Sequence, residues 1–274
     1  FQAEDGIRDF CLSRGLGDVY KRQNLMSVHH GHQLPQSDKL ELCLDGASSN
    51  IDGQTWKGYP FDCVMVNSPT YTQLGSAGYW TFNGSNQYGY LKTVNYGANG
   101  PPVGTGSDHG VFYDLTCNVW CNTTYSSSGW TDNWAWIDFD RSEVFNFFPH
   151  GDGRIAFAGK DGVNDYFDRF STGRVNDGQW HLASCVYSSS GKYLKLYIDG
   201  ALDSTFTFNN AEYLGDRSRR WGFIGEGSEA ANENGGRNSR YHDGRIGRLT
   251  LFKAAYTDDE IKQEWETHRT RFGV

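Results

Sequence analysis

Six consecutive residues, Asp138-Phe139-Asp140-Arg141-Ser142-Glu143, carry three carboxylates at a spacing that would serve glycoside hydrolysis. A retaining mechanism needs a carboxylate nucleophile and a carboxylic acid ~5–5.5 Å apart. In an extended chain alternate side chains share a face, so Asp138 and Asp140 fall together, and a bulge would bring Glu143 round to join them. The same run suits another role. With Arg141 paired to a carboxylate it becomes a polar ladder that offers hydrogen bonds and performs no chemistry. Both readings stand.

Just upstream, Trp130, Trp134 and Trp136 follow a Ser-rich loop. Exposed Trp rings stack on the C–H faces of sugars while Asp, Asn and Arg bond the hydroxyls, whereas buried ones simply fill a core. Trp130, in a loop, fits either role, and Trp134 and Trp136 lean towards the core, where Trp180 and Trp221 are also expected. The expected ligand-binding set is therefore Trp130, Trp134, Asp138, Asp140, Arg141 and Glu143. Residues 226–243 read as a long polar loop. There Glu226, Glu229, Asn232 and Asp243 form the candidate metal set, because an oxygen-rich loop suits calcium. Arg237, Arg240, Tyr241 and Arg245 in and beside that loop equally suit pairing with those acids or contact with an anionic glycan. No Ser-His-Asp order and no phosphate loop is present. Asn83-Gly84-Ser85 and Asn122-Thr123-Thr124 are formal glycosylation sequons, relevant in a secreted eukaryotic protein.

The elements that must hold these groups are strands. The chain has 274 residues with 34 Gly and only 6 Pro, and short apolar alternations separated by Gly, Ser, Asn and Asp. Leu40, Leu42 and Leu44 alternate before Asp45-Gly46. Further strands fit 111–122, 134–139, 143–148, 154–158, 166–170, 180–187, 193–198, 204–208, 221–224 and 245–252. The runs at 180–187 and 193–198 form a hairpin, and the second ends in Asp199-Gly200. More than ten strands with almost no helix between them predict an all-β, two-sheet antiparallel sandwich. One helix closes the chain. Thr257-Asp258-Asp259-Glu260 is a capping box, and Ile261 and Trp265 share one face.

The formal net charge of −8 argues against nucleic-acid and anionic-membrane partners, and no run of 18 apolar residues predicts a membrane span. Of six cysteines, five follow residue 23, at 43, 63, 117, 121 and 185. Cys117 and Cys121 sit four apart on one strand, too far to bridge each other. Buried free thiols are expected; a zinc site lacks paired knuckles. His29, His30 and His32 lie in a polar lead.

Several of these segments, taken in order, resemble laminin G-like domains of the concanavalin A-like jelly rolls. The residues that carry the resemblance are Trp180-His181, the hairpin to Asp199-Gly200, Asn67-Ser68-Pro69-Thr70-Tyr71, Phe82-Asn83-Gly84 with Tyr88, and the closing Gly244-Arg245-Ile246-Gly247 with Ala255 and the capping box. Asn83 stands where the family pattern has Asp, which removes one carboxylate from a calcium argument. Asp138-x-Asp140-x-x-Glu143 also resembles the Glu-x-Asp-x-x-Glu run of laminarinase-type glycoside hydrolases, with a shorter first acid. The resemblance implies a concanavalin A-like jelly-roll sandwich and, lacking the intact acid set, no enzyme. It implies a non-catalytic recognition module, glycan-binding, with calcium as a candidate ion and a glycan or surface protein as partner. An extracellular, cell-surface or virion-surface setting follows from it. A hydrolase and a protein-binding adhesion module are the alternatives. Residues 1–23 resemble translated sequencing-adaptor sequence and are expected to have no fold; they also lack the apolar stretch of a leader. The chain does not open on Met, as expected of a fragment whose leader lies upstream. Residues 24–39 are the polar lead, and 40–274 the domain.

Overall fold

The computed structural model describes residues 35–48, 54–92, 111–128, 135–162, 166–210, 212–218, 220–232 and 234–274. The strands begin with β1 (Leu40–Asp45), β2 (Thr55–Trp56), β3 (Gly58–Tyr59), β4 (Asp62–Val66), β5 (Thr70–Leu74), β6 (Ala77–Asn83), β7 (Tyr88–Lys92) and β8 (Asp114–Asn122). Next come β9 (Ile137–Asp138), β10 (Phe145–Pro149), β11 (Arg154–Lys160), β12 (Tyr166–Arg174), β13 (His181–Ser188), β14 (Tyr193–Ile198) and β15 (Ala201–Thr207). β16 (Phe223–Ile224), β17 (Glu226–Ser228), β18 (Arg237–Tyr241) and β19 (Asp243–Phe252) lead into α1 (Asp258–Phe272).

Two antiparallel sheets form the expected jelly-roll sandwich. The first runs β15-β14-β13-β8-β19-β1-β3, with β6 paired to β19 and β5 to β6. The second runs β12-β11-β10-β9-β16-β7-β4-β2. Alternation decides the core. Leu115, Cys117, Val119 and Cys121 of β8 face across to Phe145, Phe147, Ile155 and Phe157 of β10 and β11, all buried. All five described cysteines are buried free thiols, as expected. Burial holds the Cys43 thiol up at about 12, so these sulfurs act as small apolar fillers.

The expected hairpin forms as β13–β14, with Ala183 opposite Ile198. His181 pins its ends. Its Nδ1 lies 2.8 Å from Asp199 and its Nε2 3.0 Å from Asp177. Burial disfavours the imidazolium, but those two carboxylates outweigh it and raise the pKa. Asp199 and Gly200 then turn into β15 with φ of 54° and 78°, the two left-handed residues that a tight hairpin turn requires.

The other face of β8 carries Thr116, Asn118, Trp120 and Asn122. All are buried: α1 covers Trp120, Thr116 is bonded to Ala254 and Tyr256 just before the helix, Asn118 donates to Thr250 of β19, and Asn122 donates to the Gly178 carbonyl. Trp265 and Phe272 stack on Trp120 with centroids 5.0 and 4.4 Å away. A bulge between Ile246 and Arg248 puts Gly247 under Phe272, where a Cβ would come within 2.4 Å of the ring. The capping box forms as read: Thr257 accepts from the Glu260 amide at 3.2 Å, and Glu260 accepts from the Thr257 amide at 2.8 Å.

Three expectations need correction. The stretch 134–139 gives only the two-residue strand β9, because Asp140 adopts φ 69° and turns the chain. The strand expected from residue 143 therefore starts at Phe145. Residues 226–243 are not a loop throughout: β17 and β18 pair as a separate ribbon, with Glu226 opposite Tyr241.

Candidate functional site

The acidic run is divided by the turn. In β9, Ile137 pairs with Phe147 and joins the core, so Asp138, opposite Asn146, points to the outer face of the second sheet. Phe139 returns to the core. Asp140 then heads a reversal in which its carbonyl accepts from Val144 N at 2.7 Å. Its Oδ1 accepts from the Ser142 amide and hydroxyl, both at 3.0 Å. An Asp accepts the left-handed conformation at such a turn more readily than most residues.

Each carboxylate already has partners. Asp138, 2% exposed, accepts from the Asp140 amide at 2.6 Å, and the Ser228 amide is also directed at it. Burial nevertheless drives its carboxyl well above the ordinary range, helped by the charges of Asp140 and Glu226. Arg220 crosses from the strand-poor segment before β16 to bind Asp140 Oδ2 at 2.7 Å and Glu143 Oε1 at 3.2 Å. Burial, together with the neighbouring Asp140, pushes the Glu143 carboxyl up to about 7. Arg141 instead reaches Asp168 of β12 at 3.6 Å.

The ribbon supplies the facing wall. Ser228, Glu229, Asn238 and Arg240 oppose Asp138, Asp140, Arg141 and Ser142 across a cleft of about 230 Å³. Beneath the ribbon Glu226 is fully buried, 3.4 Å from Arg237, and burial raises its carboxyl to about 7. Arg237 also lies 4.5 Å over the Tyr88 ring. On the same outer face as Asp138, Asn146 is fully buried with neither end of its amide hydrogen-bonded.

Of the expected ligand set, Asp138, Asp140 and Arg141 meet in the cleft, and Glu143 stands behind it on Arg220. The expected shared sheet face does not form, because Asp140 and Glu143 belong to a turn. Trp130 and Trp134 lie outside the described residues, while Trp136 is in the core, edge-on to Phe147 at 5.1 Å. The four expected calcium ligands do not assemble. Glu226 faces Arg237, Glu229 lines the cleft, Asn232 caps its own turn by accepting from Asn234 N, and Asp243 sits opposite Asn83 on β6. Among the described residues no group of three or more His, Cys, Asp or Glu side chains could hold a metal.

Sequence reasoning missed Arg220 and Ser228 as parts of the site, and Asn238 was visible only as one of the oxygen donors of the polar loop. Arg240 was visible only as one of several loop arginines. Nothing local marks Arg220, which acts on a partner 80 positions away.

A sequence profile of the Concanavalin A-like lectin/glucanases superfamily matches residues 97–262. Among curated proteins no sequence match is found. By fold, the chain is similar to the binding domain of Paraclostridial Mosquitocidal Protein 1, with a TM-score of 0.60 at 13% identity, over 84% of this chain and 52% of that one. It is also similar to the botulinum neurotoxin serotype D binding domain, with a TM-score of 0.56 at 10% identity, over 84% and 52%. The botulinum neurotoxin type G receptor binding domain gives a TM-score of 0.54 at 11% identity, over 83% and 51%. The chain thus spans about half the length of these structures.

Proposed function

This chain belongs to the Concanavalin A-like lectin/glucanases superfamily, and from that footing we propose that it is a non-catalytic recognition module that binds glycan in the cleft between the Asp138–Ser142 segment and the β17–β18 ribbon. The observation that carries this reading is how the carboxylates are engaged. Hydrolysis needs an ionised nucleophile facing an acid across a sugar. Asp138 is buried and pushed towards its neutral form, and a neutral carboxyl does not attack. Glu143 has the raised pKa of a general acid, yet it shares one guanidinium with Asp140, with no room for a sugar ring between them.

What remains in the cleft is a dense set of hydrogen-bonding groups. Ser142, Ser228, Glu229, Asn238 and Arg240 surround the space. Such a lining suits hydroxyl-rich ligands better than apolar ones. The parent protein on this reading is extracellular, on a cell surface or on a virion. No helix among the described residues is long and apolar enough to cross a membrane. A surface protein is the second candidate partner, supported by the likeness in fold to a receptor binding domain.

A glycan array probed with the wild type and with Asn238→Ala, with and without calcium, tests the reading. Binding to at least one carbohydrate that Asn238→Ala weakens is expected. Failure to bind any carbohydrate, or binding indifferent to Asn238→Ala, would refute it.

A further inference from the structure

The two Asn-x-Ser/Thr sequences of this chain meet opposite treatment in the fold. Asn83 is the last residue of β6 and is exposed, as are Ser85 and Asn86 in the turn that follows. Its side chain organises that turn. Oδ1 accepts from the amides of Ser85, Asn86 and Gln87 at 3.0, 3.2 and 3.3 Å. Nδ2, on the other arm of the amide, donates to the exposed Asn86 Oδ1 at 3.0 Å. An Asn amide has two N–H groups. A sugar in place of one of them leaves the other for Asn86 and all three bonds to Oδ1 intact. The Gly84 amide, bonded to the His242 carbonyl at 2.9 Å, is untouched as well.

Asn122 is the reverse case. It ends β8 opposite Arg245 of β19 and is only 7% exposed. Its Nδ2 donates to the Gly178 carbonyl at 2.6 Å. The next residue, Thr123, is buried too, and its hydroxyl is fixed on the Asp243 carbonyl at 2.7 Å. Even a Cβ on Gly244 would meet the Asn122 carbonyl oxygen at 2.8 Å and Thr123 Cβ at 2.9 Å. An N-linked sugar is bulky and hydrated, and this corner has no space to enclose one.

We propose that the folded protein carries an N-linked glycan on Asn83 and none on Asn122. The co-reactant is an oligosaccharide carried on a lipid diphosphate. A bond forms from Asn83 Nδ2 to C1 of the first sugar as the C1–O bond to the diphosphate breaks. The lipid diphosphate leaves with that electron pair, and the displaced Nδ2 proton passes to solvent. Attachment is made on the emerging chain, so folding does the selecting: a chain with a sugar on Asn122 cannot close that corner of β8 against Gly178. The proposal rests on the extracellular setting proposed above, in a eukaryotic host, and on none of the residues of the cleft.

The test is to secrete the whole chain from eukaryotic cells behind a signal peptide and map the folded product by mass spectrometry, before and after peptide N-glycosidase. A glycan is expected at Asn83, which the enzyme removes, and Asn122 should be unmodified. Ser85→Ala keeps every bond to Asn83 Oδ1 and should abolish the mass shift, as should Asn83→Gln. If modification at Asn122 holds chains in the cell, Thr124→Ala, at an exposed position, should release them with Asn83 glycosylated. A folded product bearing sugar on Asn122, one without sugar on Asn83, a mass shift that survives Ser85→Ala, or retention that Thr124→Ala does not relieve would overturn the proposal. An empty glycan array, by contrast, refutes glycan binding in the cleft and leaves Asn83 standing.

Discussion

Substituting Glu264→Gln should unfold the helix-to-sheet seam far more easily than its one-atom chemistry suggests. Glu264 and Arg248 are both fully buried and in direct contact beneath α1. Asp45, 1% exposed, binds Arg271 at 2.6 and 3.0 Å and lies 3.3 Å from Arg248 Nε. Despite burial, the hydrogen bond and charges of Arg271 and Arg248 hold the Asp45 carboxyl below its usual range. Two acids and two arginines therefore cancel. Glu264→Gln keeps the shape and leaves one positive charge uncompensated in the seam. Breaking a buried pair in this way costs ~3–5 kcal/mol. With a urea dependence of about 2–3 kcal/mol/M, the midpoint should fall by roughly 1–2 M. Tryptophan fluorescence reads it directly, since Trp120 and Trp265 stack across the seam. Removing both partners, as Arg248→Met with Glu264→Leu, should cost less than Glu264→Gln alone, because Asp45 and Arg271 remain a balanced pair. Arg248 Nε and Nη2 also find no hydrogen-bond acceptor, so the native pair recovers only part of its desolvation cost. A Glu264→Gln loss under about 1 kcal/mol, or a double variant as unstable as the two single losses added, would refute the buried-charge reasoning.

His268 and His242 are buried and kept neutral, with pKa values lowered to about 4 and about 3. The unfolded chain binds protons first, so the stability they contribute is complete above about pH 6.5 and lost as pH falls towards those values. Glu226, raised to about 7, works oppositely, contributing below the unfolded carboxylate range and losing it as pH rises through 7. His268→Gln should therefore gain stability relative to the wild type on going from about pH 7 to about pH 5, measured as urea midpoints; an unchanged difference would contradict a neutral buried imidazole. Thr257→Ala removes the hydroxyl that accepts from the Glu260 amide, leaving the Thr257 amide bonded to Glu260, and should cost ~1 kcal/mol, read from thermal unfolding. Gly200→Ala should cost ~1–2 kcal/mol or more, because φ is 78° and the new Cβ would meet Trp265 Cβ at 2.8 Å. Laminarin and lichenan should yield no reducing ends; release of sugar that disappears in Glu143→Gln would overturn the non-catalytic reading.

The local chemistry of this chain was written in its residues. A period of two set the strands, Asp199-Gly200 set a left-handed turn, Thr257 and Glu260 set the start of the helix, and the order of these pieces identified the sandwich. Alternation, however, says that neighbours face opposite ways and not which way is in. Only the tertiary structure decided that the polar side of β8 would be buried as firmly as the apolar one, under α1 at Trp120, under the Ala254–Tyr256 segment at Thr116 and beside Gly178 at Asn122. Only the fold brought Arg220 to Asp140 and Glu143, turning a catalytic-looking run into a stapled turn, and only it set Arg169 on three phenylalanine rings drawn from both sheet margins. These are contacts between residues tens of positions apart. Such partners are chosen by sheet order and by the strand that happens to end each sheet, and neither quantity has a local signature.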